Sequence, residues 1–182
     1  SCTEADWAAA AAVTPGSLGV HPWWLHKQAA GWEERLDARL AVTPPTVAVG
    51  EIGLDRARCG LAAFDEQRAA FLVQLRLAAK HRRACVVHCV RAQGVLLDIL
   101  RAEASLPPVL VLHAYGGSVE SAAELLKIPG TMVYFGISAS TARLARAASL
   151  IASLPPSRLL IESDEHTPAE ALSAVSQSLR AV

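Results

Sequence analysis

The chain has 182 residues, of which 52% are hydrophobic, and its 17 basic and 17 acidic residues leave no formal net charge. This length supports one sizeable hydrophobic core and is short for two, so we expect a single domain over residues 1–182. The balanced charge excludes attraction of polyanions by an overall field. Any nucleic-acid binding would therefore depend on a local patch.

Cysteine usage and the alanine-rich start bear on the compartment. Cys2, Cys59, Cys85 and Cys89 form neither a CxxC pair nor a dense disulfide framework, which favours a reduced compartment and argues against structural zinc. Residues 7–13 follow acidic residues where a signal peptide needs basic ones, and the run is too short to span a bilayer. We predict a helix there and a cytoplasmic protein without a membrane partner, with the nucleus as the alternative.

Short apolar strands alternate with helical patterns along the chain. The predicted strands are residues 18–20, 46–50, 85–87, 109–112, 131–135 and 159–161. The predicted helices are residues 7–13, 33–40, 64–81, 93–101, 119–126 and 141–153. This alternation implies parallel strands joined by right-handed crossovers, in either an open doubly wound sheet or a closed β/α barrel. Six strands would leave an eight-stranded barrel two strands short.

Four of the predicted strands are followed by side chains that bind metal ions. In chain order these are Glu51 with Asp55, then His88, then His113, then Glu162 with Asp164. The functional site of a parallel α/β fold lies at the carboxyl ends of its strands, so we expect these side chains to converge. Histidines and carboxylates together suit a divalent ion such as zinc, manganese or magnesium.

Each of these residues also has a structural interpretation. Glu51 could cap the next helix or pair with an arginine, and His88 and His113 could be satisfied histidines at a sheet edge. Asp164 could be the N-cap of the terminal helix. All four coincidences would have to occur at one face, so a metal site is favoured. Cys89 is expected to point away from that site as buried filler.

His21 lies in the stretch GVHPWWL, after the weak strand at residues 18–20. A proline fixes an extended turn after it, and the two tryptophans could serve packing alone. The residues leave His21 open between a site histidine and a structural one. Arginines just past strand ends, Arg56, Arg58 and Arg91, could neutralise phosphate or form solvent-facing ion pairs.

The chain resembles the TatD family of metal-dependent hydrolases in six stretches: GVHPWW, VAVGEIGLD, FDEQRAAFLVQLRLAAKHRRACVVHCVRA, LVLHAYGGS, YFGIS and RLLIESDEHTP. They occur in the family's order and approximate spacing between residues 7 and 168. GVHPWW and ESDEHTP most resemble the eukaryotic branch, which includes proteins described as Cut9-interacting. The resemblance implies a TIM-type β/α barrel of the amidohydrolase-like group, one or two divalent ions, and hydrolysis of DNA phosphodiesters as a deoxyribonuclease.

The same resemblance implies a role for each motif residue. Glu51 would be the carboxylate shared between metals, and Asp164 would complete one metal site while orienting or deprotonating the attacking water. Asp55 would support the site without binding metal. The candidate set is therefore Glu51, His88, His113 and Asp164 for metal, Asp164 and Glu51 for catalysis, and His21 and Arg91 for substrate.

One motif of that family does not occur in this sequence. The family opens with a strand carrying a metal-binding His-x-His pair, and residues 1–182 contain no such pair. The six predicted strands would then be the family's third to eighth, in a barrel truncated at the N-terminus. We expect either a fragment or mispredicted start of a complete enzyme, or a chain that has lost half its metal site. The rival functions are hydrolysis of a small amide or ester and a non-catalytic interaction protein with a protein partner.

Overall fold

One parallel sheet forms the centre of the computed structural model, which describes residues 2–12 and 16–163 together with residues 173 and 176. Its strands are β1 (Ser17–Leu18), β2 (Ala48–Asp55), β3 (Cys85–Val90), β4 (Val109–Leu112), β5 (Met132–Ile137) and β6 (Leu159–Ile161). Each strand pairs in parallel with the next strand along the chain. All carboxyl ends therefore lie at the same edge.

The strand order decides between the two architectures that the sequence left open. A doubly wound sheet reverses its strand order at a switch point, whereas consecutive strands of a β/α barrel are neighbours throughout. Here the order follows the chain from β1 to β6 without a reversal. The described residues thus have the winding of an incomplete β/α barrel, which confirms the predicted fold class.

The segments between the strands contain α-helices and short 3-10 helices. The α-helices are α1 (Trp7–Ala12), α2 (Trp32–Val42), α3 (Phe64–Lys80), α4 (Gln93–Ala102), α5 (Val119–Leu126), α6 (Ala139–Ala142) and α7 (Ala147–Ser153). The 3-10 helices are Glu4–Asp6, Pro22–Lys27, Arg56–Arg58 and Pro156–Arg158. Within the described ranges, no helix combines the length and hydropathy that crossing a membrane requires.

The single helix predicted over residues 141–153 is wrong, because the structure divides this segment into α6 and α7. Turns with hydrogen bonds from Leu144 N–H to the Thr141 carbonyl and from Ala147 N–H to the Leu144 carbonyl separate the two helices. The Arg146 side chain leaves the segment and donates to the backbone carbonyls of residues 116 and 117. Tertiary contacts therefore interrupt an apolar pattern that continues through the break.

β2 and β3 are longer than the apolar runs that predicted them. β2 continues through Asp55, and Gly53 within it pairs with His88 of β3. Gly53 has a φ of +153°, and a Cβ at this position would overlap the backbone carbonyl of His88. Only glycine permits this approach, so the motif GEIGLD brings its own strand close to His88. Glu51 and His88 consequently lie within strands and not after them.

The hydrophobic core lies between the sheet and the helices. α3 buries Phe71 and Leu75, and α2 and α4 bury leucines in the same cluster. Full burial of each such side chain is worth about 1.5–3 kcal/mol. The largest fully buried side chains of the core include Leu18, Leu36, Leu40, Ile52, Leu54, Phe71, Leu75, Leu96, Leu100, Leu110, Leu112 and Phe135.

Two buried glutamines of α3 hold chain segments at the carboxyl edge of the sheet. The Gln74 side chain accepts from the Val20 N–H at 2.7 Å and donates to the Val20 carbonyl at 3.1 Å. Gln67 does the same at Asp55, with distances of 2.7 Å and 3.2 Å. These bonds satisfy backbone groups that burial would otherwise leave unpaired. α3 therefore fixes the residue before His21 and the end of β2.

Candidate metal centre

Four side chains from separate parts of the sequence converge at the carboxyl edge of the sheet. Oε1 of Glu51 lies 3.4 Å from Nδ1 of His88, 3.8 Å from Nε2 of His113 and 3.9 Å from Nε2 of His21. Glu51 and His88 are carried by β2 and β3, whereas His113 directly follows β4. The structure thus brings the predicted residues Glu51, His88, His113 and His21 together around one carboxylate oxygen.

That oxygen has no hydrogen-bond partner among the residues described here. The Glu51 side chain is 23% exposed, yet its Oε1 atom is buried. Burial raises the pKa of Glu51, but His88, His113 and His21 together outweigh this effect and bring the pKa below its ordinary value. A buried carboxylate oxygen without a donor costs about 1–3 kcal/mol or more. A cation bound beside Oε1 would remove that cost.

The imidazole of His88 is held from behind by Asp55, whose Oδ2 lies 3.1 Å from Nε2 of His88. Asp55 also accepts hydrogen bonds from Trp23 Nε1 at 2.6 Å and from the Ala57 N–H at 2.8 Å. Burial raises the pKa of Asp55, but these hydrogen bonds outweigh it and hold the pKa below its usual value. Because an ionised carboxylate can only accept, Nε2 of His88 carries a proton, and in the neutral imidazole the lone pair is then on Nδ1, the nitrogen that faces Glu51.

His113 has a carboxylate behind it as well. Its Nδ1 lies 3.1 Å from Oε2 of Glu162, and the Ala114 N–H donates to the other oxygen of Glu162. A Cβ at residue 136 would overlap the Glu162 carboxylate, so Gly136 provides the room for it. Glu162 therefore stands behind His113, on the opposite side of the ring from the nitrogen that faces Glu51.

Nε2 of His21 also faces Oε1 of Glu51, but this nitrogen is a hydrogen-bond donor in the neutral ring. Its Nδ1 accepts from the Trp23 N–H at 3.2 Å, so in the neutral imidazole Nε2 carries the proton. Burial, assisted by the neighbouring His88, lowers the pKa of His21 to about 4, which makes the ring neutral at pH 7. Ligand atoms of His21, Glu51 and His88 all lie within 4.8 Å of one another. The proton on Nε2 nevertheless suits hydrogen-bond donation better than metal ligation.

A cleft of about 470 Å³ opens over this cluster. Cys89 borders the cleft near the end of β3, and it also packs against the hydrophobic core, which agrees with its prediction as buried filler. Burial raises the pKa of Cys89 to about 12, so its thiol is protonated at neutral pH. The full lining is Cys2, His21, Trp23, Trp24, Glu51, His88, Cys89, Val90, His113, Ala114 and Ser140.

Several residues of this region carried no clear signal in the sequence. Cys2 and Ser140 line the cleft although neither follows a predicted strand. Trp23 looked like a packing residue, yet its indole N–H bonds to Asp55, and its ring centroid lies 3.8 Å from the Arg58 guanidinium carbon. Gln67 also belongs to this region, and the sequence held one indication of it: it is a polar residue on the apolar face of a predicted helix.

Two of the predicted site residues are not part of the described cluster. Arg91 directly follows β3 and is exposed. Asp164 lies outside the described residues. Their predicted roles in binding substrate, and in metal binding and catalysis, stay predictions.

The residues present fit a divalent ion. Glu51 offers one oxygen, and the ring nitrogens nearest to it are Nδ1 of His88 and Nε2 of His113. Ligand atoms about 2.0–2.2 Å from a shared tetrahedral ion would be about 3.3–3.6 Å apart, and the two imidazole nitrogens lie 3.4 Å and 3.8 Å from Oε1. The group whose ligand atoms all lie within 4.8 Å of one another consists of His21, Glu51 and His88, so His113 meets the cluster through Oε1 of Glu51. Histidine ligands typically hold a carboxylate or carbonyl on their other nitrogen, as His88 and His113 do.

Comparison with known proteins identifies relatives along most of the chain. The sequence profile of the family described as TatD related DNase matches residues 5–175. The 3'-5' ssDNA/RNA exonuclease TatD of Edwardsiella piscicida is 34% identical over 154 residues, which cover 81% of this chain and 56% of the relative. The Escherichia coli K12 protein of the same name is 33% identical over 151 residues, with the same coverage. The chain thus spans about half the length of the curated relatives it matches.

Solved structures share the fold. A TatD homologue from Escherichia coli K12 superimposes with a TM-score of 0.81 at 28% identity, covering 90% of this chain and 65% of that one. A TatD family hydrolase from Entamoeba histolytica has a TM-score of 0.67 at 22% identity, covering 81% and 49%. An amidohydrolase from Saccharomyces cerevisiae has a TM-score of 0.64 at 20% identity, covering 91% and 62%. The last two likenesses concern the fold alone, and they agree with an incomplete β/α barrel.

Proposed function

The chain belongs to the TatD related DNase family, and on that premise we propose that its site hydrolyses phosphodiester bonds of DNA with the help of a divalent metal ion. The observation that carries the proposal is the buried Oε1 of Glu51, which has three imidazoles around it and no hydrogen-bond partner among the described residues. We also propose that residues 1–182 form one domain around this site, which the single continuous sheet supports.

Glu51, His88 and His113 would hold the ion, and Asp164 would complete the set, as the family motif implies. A divalent ion supplies two things to hydrolysis: it lowers the pKa of its bound water and it polarises a phosphoryl oxygen. The Asp164 carboxylate is proposed to take the proton of the attacking water. Zinc, manganese and magnesium are the candidates, because the donor set mixes imidazole nitrogen with carboxylate oxygen.

Substrate binding is assigned to His21 and Arg91. His21 borders the cleft and is neutral with its proton on Nε2, so it would donate a hydrogen bond to a phosphate oxygen. Arg91 would place a positive charge at the end of β3, where a phosphate group could be paired. The curated relatives are named ssDNA/RNA exonucleases, which makes single-stranded DNA the first substrate to test.

The experiment combines metal binding with cleavage. The purified chain is stripped with EDTA, titrated with Zn²⁺, Mn²⁺ or Mg²⁺, and incubated with single-stranded DNA labelled at either end. We expect cleavage only with metal, and loss of both binding and cleavage in Glu51→Gln and His113→Ala. Glu34→Gln, an equal change at an exposed glutamate of α2, should behave as the wild type.

Two outcomes would contradict this proposal. One is cleavage that survives EDTA and the Glu51→Gln change, which would locate the activity elsewhere or in a contaminant. The other is the absence of specific metal binding by the wild-type chain. A panel of small esters and amides in the same assay separates phosphodiester hydrolysis from the rival reactions, since metal-dependent turnover of those compounds alone would favour the rivals.

A further inference from the structure

Donors converge on both carboxylate oxygens of Asp55, whose side chain is only 2% exposed. Oδ2 accepts the indole N–H of Trp23 at 2.6 Å and lies 3.1 Å from Nε2 of His88. Oδ1 accepts the backbone N–H of Ala57 at 2.8 Å. This buried carboxylate is thus fully engaged, although it lies one step away from the candidate metal ligands.

The donors around Asp55 determine which ring nitrogen of His88 carries a proton. An indole N–H and a backbone N–H can only donate, so both oxygens of Asp55 have to act as acceptors. His88 can therefore interact favourably with Oδ2 only when its own Nε2 carries a proton. The neutral ring then leaves the lone pair on Nδ1, the atom 3.4 Å from Oε1 of Glu51.

We propose that Asp55 is a positioning residue that holds the proton of His88 on Nε2, so that Nδ1 is kept ready for a divalent cation. The inference rests on the proposed function, because a fixed tautomer matters only if the site receives a cation. It assigns to Asp55, the last residue of the motif GEIGLD, a task other than ligand binding.

The backbone around Asp55 and His88 supports this assignment. Gln67 bonds to both the N–H and the carbonyl of Asp55. Gly53 lies directly against the backbone of His88, where a Cβ would not fit. Carboxylate and imidazole are therefore both mounted on fixed strands, as precise ligand geometry requires.

Substitution by asparagine tests the proposal, because an amide offers one acceptor and one donor in place of two acceptors. In Asp55→Asn alone the amide NH₂ would face a donor in either orientation, the Trp23 indole or the Ala57 N–H. Trp23→Phe removes the first conflict. In the double variant the amide can accept from Ala57 and donate to His88 Nε2, which would move the proton of His88 to Nδ1.

The experiment reads the tautomer directly in the metal-free chain. Long-range ¹H–¹⁵N correlation spectra at mildly alkaline pH distinguish protonated from unprotonated imidazole nitrogens. We expect the proton on Nε2 of His88 in the wild type and in Trp23→Phe, and on Nδ1 in the double variant. Calorimetric titration with Zn²⁺ alone should then show affinity within about threefold of the wild type for Trp23→Phe, and about 10- to 100-fold weaker for the double variant.

Two results would overturn the proposal. A wild-type His88 with its proton on Nδ1 would remove its basis, and a double variant with switched tautomer but the Zn²⁺ affinity of Trp23→Phe would show that the tautomer is irrelevant. Neither readout uses nucleic acid or turnover. Failure of DNA cleavage with the expected tautomers and Zn²⁺ affinities would therefore contradict only the proposed function.

Discussion

The two ends of the sheet use buried charge in different ways. At the amino end, Arg83 precedes β3 and is only 5% exposed. Its Nη1 donates to the carbonyls of Pro44 and Val47, and its Nη2 donates to those of Leu40 and Thr43 at 2.7 Å each. Arg83 therefore ties the end of α2 and the following turn to the start of β3.

At the carboxyl end, the charge on Glu51 is less completely paired. Among the described residues, Oε1 of Glu51 finds no donor in hydrogen-bonding geometry, whereas on the guanidinium of Arg83 only the Nε–H finds no acceptor. The groups nearest Oε1 are imidazoles, which bind metal ions, and not backbone carbonyls. The contrast teaches that burial of a charge does not identify a site, whereas an unsatisfied anion among potential ligands does.

The largest effect on stability is expected at the amino end. Arg83→Met would leave up to four backbone carbonyls without their donor, so we expect the free energy of unfolding in urea to fall by about 3 kcal/mol. Zn²⁺ affinity should stay unchanged, since the substitution is at the opposite end of the sheet. Arg82→Met, an equal loss of charge at the exposed neighbour, should cost no more than about 0.5 kcal/mol. Equal losses in both variants would mean that charge, and not the carbonyl contacts, is responsible.

For Glu51→Gln we expect a large loss of Zn²⁺ affinity and little change in stability. Removing the carboxylate should weaken Zn²⁺ binding at least about 100-fold, or about 2.7 kcal/mol. The free energy of unfolding of the metal-free chain should change by less than about 0.5 kcal/mol or rise, because an unpaired buried charge is lost. The measurement is a urea titration with and without Zn²⁺. A loss above about 1 kcal/mol without metal would make Glu51 a structural residue and remove the contrast between the two ends.

Much of the carboxyl end of the sheet can be predicted from the sequence. Strand positions follow from short apolar runs, and His113 and Glu51 follow from where those runs stop. The strand order does not, because periodicity describes single segments and winding is a property of their packing. The roles of Gln67 and of Glu162 behind His113 were also not predictable, since each depends on a contact between segments far apart in sequence.

A substitution in α3 should lower both the free energy of unfolding and the Zn²⁺ affinity, by smaller amounts. Gln67→Leu would remove the Gln67 bonds to both backbone groups of Asp55, so we expect a loss of about 1–2 kcal/mol together with several-fold weaker Zn²⁺ binding. Gln74→Leu is the matched control on the same helix, because it makes the equal change at Val20. Its stability loss should be similar, with Zn²⁺ affinity intact, since His21 beside Val20 is proposed to bind substrate. Weakened Zn²⁺ binding in Gln74→Leu would make His21 a ligand.

The smallest effect on stability is expected at an ion pair between helices, away from both ends of the sheet. Asp37 of α2 accepts from Lys80 Nζ at 2.6 Å, and its other oxygen lies 2.6 Å from Nε2 of His81. These two partners hold the pKa of Asp37 below its usual value. The ionised carboxylate is therefore worth more in the folded chain, and its contribution is present above the unfolded pKa of about 3.9 and is lost as pH falls through the folded pKa.

Asp37→Asn should accordingly lower the free energy of unfolding by about 0.5 kcal/mol at pH 7, as is usual for partly exposed ion pairs. The difference from the wild type should shrink toward zero as the pH falls below about 4. Asp98→Asn, at an exposed aspartate of α4, is the control and should show less. A difference for Asp37→Asn that persisted unchanged in acid would mean that shape and not charge is lost. Zn²⁺ affinity should be unaffected, because a partly exposed ion pair on the helices has no contact with the ligands around Glu51.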